Sequence, residues 1–331
     1  MHTDNFGKHR TKHGKKVHHF KPREGITALE ILKEFDKMGV FGGGSLGKAF
    51  RVLTEAKENG AKINMSLAGA MVPGGMRATI VQAIKSGLID MLVTTGANCT
   101  HDLIESFGHT HLKDVAFQDD NELRERGIDR VYDAFVHEGG FPTLEDNIQK
   151  LIIQMHDEES VEGVLHTSSH EVLRWLGAHI EDENSFIRQA YLNNVPIFVP
   201  ALSDSVLGLQ IWLRSQFKKL IIDEMRDLGE IQTIFHEAEK NAAFILGGGV
   251  PKNYMLQSSL MSDKEYEYGV AVTMDRVETG GLSGATLTEA VSWGKFTWEA
   301  PKATVYADTT IVLPLIVSAW MEYQSVQRQE H

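Results

Sequence analysis

At 331 residues, with 42% hydrophobic and 24% charged side chains, the chain has the make-up of an ordinary globular protein large enough to bury a substantial core, and wholesale disorder is excluded. Thirty-three Lys and Arg against 45 Asp and Glu leave a formal charge of −12, which argues against binding a nucleic-acid backbone and favours cationic small molecules such as polyamines. The single cysteine, Cys99, allows neither an intrachain disulfide nor a cysteine-based zinc site, as expected in the reducing cytoplasm, and the longest apolar run, 310–320, contains Pro314 and is too short to cross a membrane.

Residues 1–26 read as a basic, His-rich N-terminal arm without the apolar segment of a secretory signal. From residue 27 onward helix-period segments alternate with short apolar runs. Helices are predicted at 28–37 and 46–59, a strand at 63–67, a helix at 76–85, a strand at 90–94 and a helix at 102–107. Three helices follow at 144–155, 172–179 and 186–192, then strands at 195–199 and 220–223 and a helix at 231–240. Strands at 242–246, 269–273 and 304–307, with a helix at 287–292, complete the pattern. Such alternation predicts an α/β fold with a mostly parallel sheet, in one large domain over 27–325 whose nearest approach to a boundary is the acidic stretch 157–162. Ligands of such sheets gather at the carboxyl ends of the strands, so the loops after the apolar runs are the places to look for chemistry.

A first glycine run, Gly42-Gly43-Gly44-Ser45-Leu46-Gly47, has the literal G-x-G-x-x-G spacing, but no good strand precedes it and no acidic residue follows at about 20 positions, so it reads as a flexible loop entering the helix at 46–59. The loop from Thr94 through Thr95, Gly96, Ala97, Asn98, Cys99 and Thr100 to Asp102 follows a strand and is small and polar; it reads either as a phosphate-approaching turn or as a plain strand-to-helix turn with Thr100 as N-cap. Gly247-Gly248-Gly249 end the apolar run at 242–246, and their entropic cost points to close approach of a ligand, a dinucleotide being a reasonable guest. In the segment 280–295, Thr286 and Glu289 form a capping box, Gly294 ends a short helix, and Lys295 follows beside Trp293. An indole neighbour would desolvate that lysine toward the neutral nucleophile, while the helix carboxyl end would favour the cation, so the sign of its pKa shift is open at this level. His101, Asp102, His109 and His111 suggest a competing metal hydrolase, though without helical ligand spacing, and Cys99 reads as a small apolar filler.

Taken together, VTTGANCTHDLI, VPIFVPALSDSVLG, FILGGGVPKNY, GGLSGATLTEAVSWGK and VYADTTIVLPLI resemble, in order and spacing, the deoxyhypusine synthase family, from about Thr27 to Trp320. The resemblance implies a doubly wound sheet, a homotetramer of tight dimers with NAD at the dimer interfaces, and an N-terminal arm covering a neighbour's active site. It also implies the reaction: hydride leaves a polyamine such as spermidine for NAD, diaminopropane is lost, and an aminobutyl group passes through a lysine imine to an acceptor amine before reduction regenerates NAD. Carried over by position, Lys295 matches the imine-forming lysine, and Glu289 and Trp293 match the polyamine channel. Thr95, Gly96, Ala97, Asp204, Gly247, Gly248, Gly249, Ser283, Ala307 and Asp308 match cofactor-contacting positions.

Three positions depart from the protein-modifying members: Asn253 stands in place of a histidine in the substrate site, and Leu209 and Leu282 in place of acidic residues. The pattern resembles the bacterial and archaeal deoxyhypusine synthase-like branch, some of whose members make homospermidine from putrescine. That small-amine role is placed ahead of modifying a translation-factor lysine, and a catalytically inactive homologue binding NAD or polyamine is a third reading.

Overall fold

The computed structural model describes residues 16–113 and 119–330. Its strands are β1 Lys62–Leu67, β2 Met91–Thr94, β3 Ile128–Val131, β4 Ala134–His137, β5 Val164–Thr167, β6 Ile197–Phe198, β7 Lys219–Ile222, β8 Asn241–Leu246, β9 Tyr268–Thr273 and β10 Lys302–Tyr306. Six of them form one sheet in the order β10-β9-β8-β1-β2-β6, every pair parallel. Counting only these six in chain order and starting from β6, the sheet reads 3-2-1-4-5-6, the doubly wound arrangement whose direction reverses between β1 and β8.

The apolar runs form these strands because both faces of the sheet are covered. Along β8, Ala242, Phe244 and Leu246 enter one core and Ala243 and Ile245 the other, the period-2 alternation of a strand buried on both sides. The helices Phe41–Glu58 and Thr309–Glu330 pack on the first face, and the helices Glu224–Glu237 and Gly249–Gln257 on the second.

Several predicted elements are corrected. Residues 42–44 are not a loop: the helix begins at Phe41, and Gly43, Gly44 and Gly47 lie in close contact with the preceding helix Ala28–Met38 and its cap Gly39. A Cβ on Gly47 would lie 2.1 Å from the backbone nitrogen of Asp36, and one on Gly44 2.5 Å from the carbonyl carbon of Gly39. The run at 220–223 is a strand, but it pairs with β5, which the pattern did not reveal, in a separate two-stranded ribbon. The antiparallel hairpin of β3 and β4 was likewise not foreseen.

The apolar stretch at 310–320 belongs to a 22-residue helix, Thr309–Glu330, that runs through Pro314 at its sixth residue, where the missing N–H leaves one carbonyl of the first turn without its ladder partner. No helix among the described residues is long and apolar enough to cross a membrane. Residues 1–15 of the proposed arm lie outside the described residues. Its last part lies on the first helix, where His18 Nε2 is 2.6 Å from Glu34 Oε2 and the rings of Phe20 and Phe35 are 5.5 Å apart.

Candidate active site

All six strands of the main sheet point their carboxyl ends into one cleft of about 490 Å³. Ala68 and Gly69 enter it after β1, Thr95 and Gly96 after β2, and Pro200, Ala201 and Asp204 after β6. Gly247, Gly248 and Gly249 follow β8, Thr273, Met274 and Asp275 close β9, and Ala307 and Asp308 follow β10, with Ser283 on the facing loop. The cleft therefore straddles the reversal between β1 and β8, where doubly wound sheets bind their ligands. It gathers the residues predicted to contact the cofactor with one exception: Ala97 is exposed on the helix beside it and does not line it.

Two helix N-termini open into the cleft. Gly96–Ser106 starts six residues earlier than its predicted start at Asp102, with Thr95 rather than Thr100 as N-cap, its side chain accepting from the Asn98 amide. Thr100 is instead buried, its hydroxyl oxygen accepting from the Leu207 amide. Gly249–Gln257 starts at Gly248 with no side-chain cap, which leaves its first amides to whatever fills the cleft.

The glycines also have reasons of their own, apart from ligand approach. Gly247 and Gly249 hold φ of 78° and 63°, and a Cβ on Gly248 would sit 2.1 Å from Ser283 Cα. Packing and backbone conformation thus account for much of the run that the sequence ascribes to a ligand.

Beyond the cleft lies a second group. The short helix Leu287–Ser292 is capped by Thr286, whose hydroxyl accepts from the Glu289 amide at 3.0 Å, half of the predicted capping box. Gly294 ends the turn with φ 68°, as anticipated. The main chain of Lys295 is pinned on both sides: its N–H donates to Ala290 O and its carbonyl accepts from Tyr266 N, both at 3.0 Å. Next to it Phe296 and Tyr266 are buried, so the base of the lysine is rigid while its ammonium end is free to reach out.

That end donates to Asn253 Oδ1 at 3.1 Å. Burial holds the Lys295 pKa below the ordinary lysine value, which settles the sign that helix end and indole left open. Glu289 and Trp293 are exposed on the same turn. Lys295, Asn253, Glu289 and Trp293 are thus not in the cleft but next to it, joined to it by the helix Gly249–Gln257, which lines the cleft at its N-terminus and carries Asn253 in its second turn.

Pattern reading did not single out Lys252, although it is buried and donates from Nζ to Leu282 O and Ala285 O, each at 2.6 Å. Nor did it find Ala68, Gly69 or Met274, whose place in the cleft depends on strand order rather than on local sequence.

The competing histidine cluster has other employment. Asp102 is fully buried, bonded to Arg77 Nε at 2.6 Å, to the Ser185 hydroxyl at 2.6 Å and to the amides of Phe186 and Ile187. His111 joins Glu105 to His101, and His109 meets the Thr143 hydroxyl. Among the described residues no group of three or more His, Cys, Asp or Glu is placed to hold a metal ion. Cys99 is buried in the core, and burial pushes its thiol pKa well up.

Comparison with known proteins agrees with this geometry. The family model described as "Deoxyhypusine synthase" matches residues 30–320. "Probable deoxyhypusine synthase 1" of Methanosarcina acetivorans is 44% identical over 296 residues, covering 89% of this chain and 90% of the relative. "Probable deoxyhypusine synthase" of Methanothermobacter thermautotrophicus is 38% identical over 303 residues, covering 91% and 96%. A crystal structure assigned to deoxyhypusine synthase of Entamoeba histolytica superposes with a TM-score of 0.62 over 89% of this chain and 93% of that one, at 19% identity, and so supports the fold. The chain belongs to the deoxyhypusine synthase family, whose members are NAD-dependent enzymes that transfer aminobutyl groups.

Proposed function

We propose that this protein takes an aminobutyl group from a polyamine such as spermidine, holds it as an imine on Lys295 and delivers it to a small amine, putrescine giving homospermidine. The observation that carries this reading is the 3.1 Å bond from Lys295 Nζ to Asn253 Oδ1, which joins the lysine turn to the helix whose N-terminus lines the cleft.

The cleft suits NAD. The N-termini at Gly96 and Gly249 offer amides and favourable dipole to a pyrophosphate, and Asp204 and Asp308 offer carboxylates to ribose hydroxyl or amide groups. Thr95, Gly247, Gly248, Ser283 and Ala307 would form its walls, with Ala97 beside them. Bound there, NAD supplies the acceptor for a hydride from the polyamine and, at the end, the donor that reduces the product.

The remaining steps belong to side chains. Burial favours the neutral amine of Lys295, whose lone pair attacks the imine carbon of the oxidised donor as diaminopropane leaves. Asn253 accepts one N–H of that amine and fixes its direction. Glu289 can pair with a substrate ammonium and the Trp293 indole can cover it. Leu209 and Leu282, both exposed on the single chain, stand where the protein-modifying members carry acidic residues, and without those carboxylates an extended triamine is held less tightly, so the amine specificity differs from theirs.

A second reading, modification of a protein lysine, is favoured by the names of the relatives. Supplying the enzyme, NAD and spermidine with putrescine and, separately, with the organism's own hypusine-type translation factor separates the two. Homospermidine without a mass gain on the factor supports the small-amine reading. An aminobutyl gain on the factor without homospermidine reverses it. We place the active unit as a homotetramer, tested by light scattering of the purified protein.

A further inference from the structure

Lys252 is the third residue after the glycine run and one residue before Asn253 on the helix Gly249–Gln257. Its side chain is almost wholly buried, the residue being only 5% exposed. Its two close bonds are to main-chain carbonyls, and no ion pair to it is found among the described residues, Glu289 acting on it only at longer range. Burying an ammonium without a paired carboxylate is costly, and lysines are rarely found so. Burial holds its pKa below the ordinary lysine value, against the pull of Glu289, and the Lys295 charge works in the same direction as burial.

The carbonyls it grips are those of Leu282 and Ala285, on either side of Ser283 and Gly284. Ser283 is the wall of the cleft pressed against Gly248, and its own carbonyl accepts from the Thr273 hydroxyl at 3.1 Å. Ala285 immediately precedes Thr286, the cap of the helix that leads to Lys295. One ammonium therefore ties the loop that walls the cleft, the start of the lysine-bearing turn and the helix carrying Asn253.

We infer that Lys252 is a positioning residue, a clamp that holds loop 282–285 so that the cleft wall at Ser283 and the amine of Lys295 keep a fixed relation. This rests on reading the cleft as the NAD site and Lys295 as the carrier. A hydroxyl could bond only one carbonyl, and the shorter amide of Gln would have to reach both without the charge. The ammonium, with three donors, holds both at 2.6 Å.

The test uses the full-length protein with Lys252→Met, which keeps the stem and removes the donors, and Lys252→Arg, which keeps the charge. Three quantities are read: NAD affinity, the rate at which borohydride traps an aminobutyl adduct, and amide hydrogen exchange over 282–288 without ligand. For the Met variant the expected result is a tenfold or greater loss of NAD affinity, adduct formation slowed at least thirtyfold and faster exchange confined to 282–288. The Arg variant should recover part of each. A folded Met variant with affinity and adduct rate within twofold of wild type, or with unchanged exchange at 282–288, overturns the clamp, as does a fall in melting temperature alone.

If the Met variant does not fold, Lys252→Gln is read in the same way, with smaller losses expected and the same overturning result. Should wild-type protein bind NAD yet form no adduct, the carrier role of Lys295 fails. NAD affinity and hydrogen exchange then still decide the role of Lys252.

Discussion

Gly42-Gly43-Gly44 and Gly247-Gly248-Gly249 are identical in letters and differ in what surrounds them. The first run sits in the opening turns of a helix and, with Gly47, lets it press against the backbone of the helix before it. The second ends a fully buried strand at the reversal point of the sheet, takes left-handed conformations at Gly247 and Gly249 and starts a helix whose uncapped amides face a cleft. A glycine run is thus a statement about close approach, and only the neighbouring element says whether helix, loop or ligand approaches.

The largest effect should come from the helix pair. Gly47→Ala places a methyl 2.1 Å from the Asp36 backbone nitrogen, where no side chain can give way. A loss of about 3 kcal/mol or more is expected in denaturant unfolding, with NAD affinity per folded molecule unchanged. Should the variant be as stable as wild type, the two helices do not meet as described.

Gly248→Ala should do the converse. Its methyl would push against Ser283 Cα, so the cleft wall moves and NAD binding by titration calorimetry should weaken by about tenfold or more, a ligand effect exceeding any change in the unfolding midpoint. Equal NAD affinity would mean that this run, like the first, serves packing alone.

The chemistry attached to the second region has its own signature. Because burial depresses the Lys295 pKa, its neutral fraction rises with pH and saturates sooner than for an ordinary lysine. The rate of adduct formation should climb by about tenfold per pH unit and level off below 10.5, the ordinary value. A midpoint at or above that value would mean that the amine is not desolvated where it acts.

The smallest effect is expected at Gly42, where an added Cβ meets nothing within 4 Å. Replacing it by Ala should stabilise the helix by roughly 0.5–1 kcal/mol, visible as a melting temperature higher by a degree or two. Destabilisation would show that even this position serves close contact.

Much of the sheet was legible because its strands are continuous apolar runs bounded by glycine and polar turns, as in β1, β8 and β9. The ribbon strand β7 was legible as a strand but not in its partner, since pairing is a property of two distant segments. The helix Thr309–Glu330 was hidden by Pro314, which reads as a stop although the helix continues through it with the loss of one ladder N–H in its second turn. Cofactor-side positions were legible through family motifs, and all but Ala97 come together in the cleft. Lys252 was illegible because a buried ammonium bonded to two carbonyls leaves no local pattern, and its meaning appears only when loop 282–285 folds over it.

The central claim is that Lys295 carries the transferred group. It is tested most directly by incubating the protein with NAD and spermidine, trapping with borohydride and mapping the modified peptide by mass spectrometry. The account predicts one aminobutyl group, on Lys295, absent from Lys295→Arg protein that still binds NAD. An adduct on Lys252 or elsewhere, or none while NAD is bound, would contradict it.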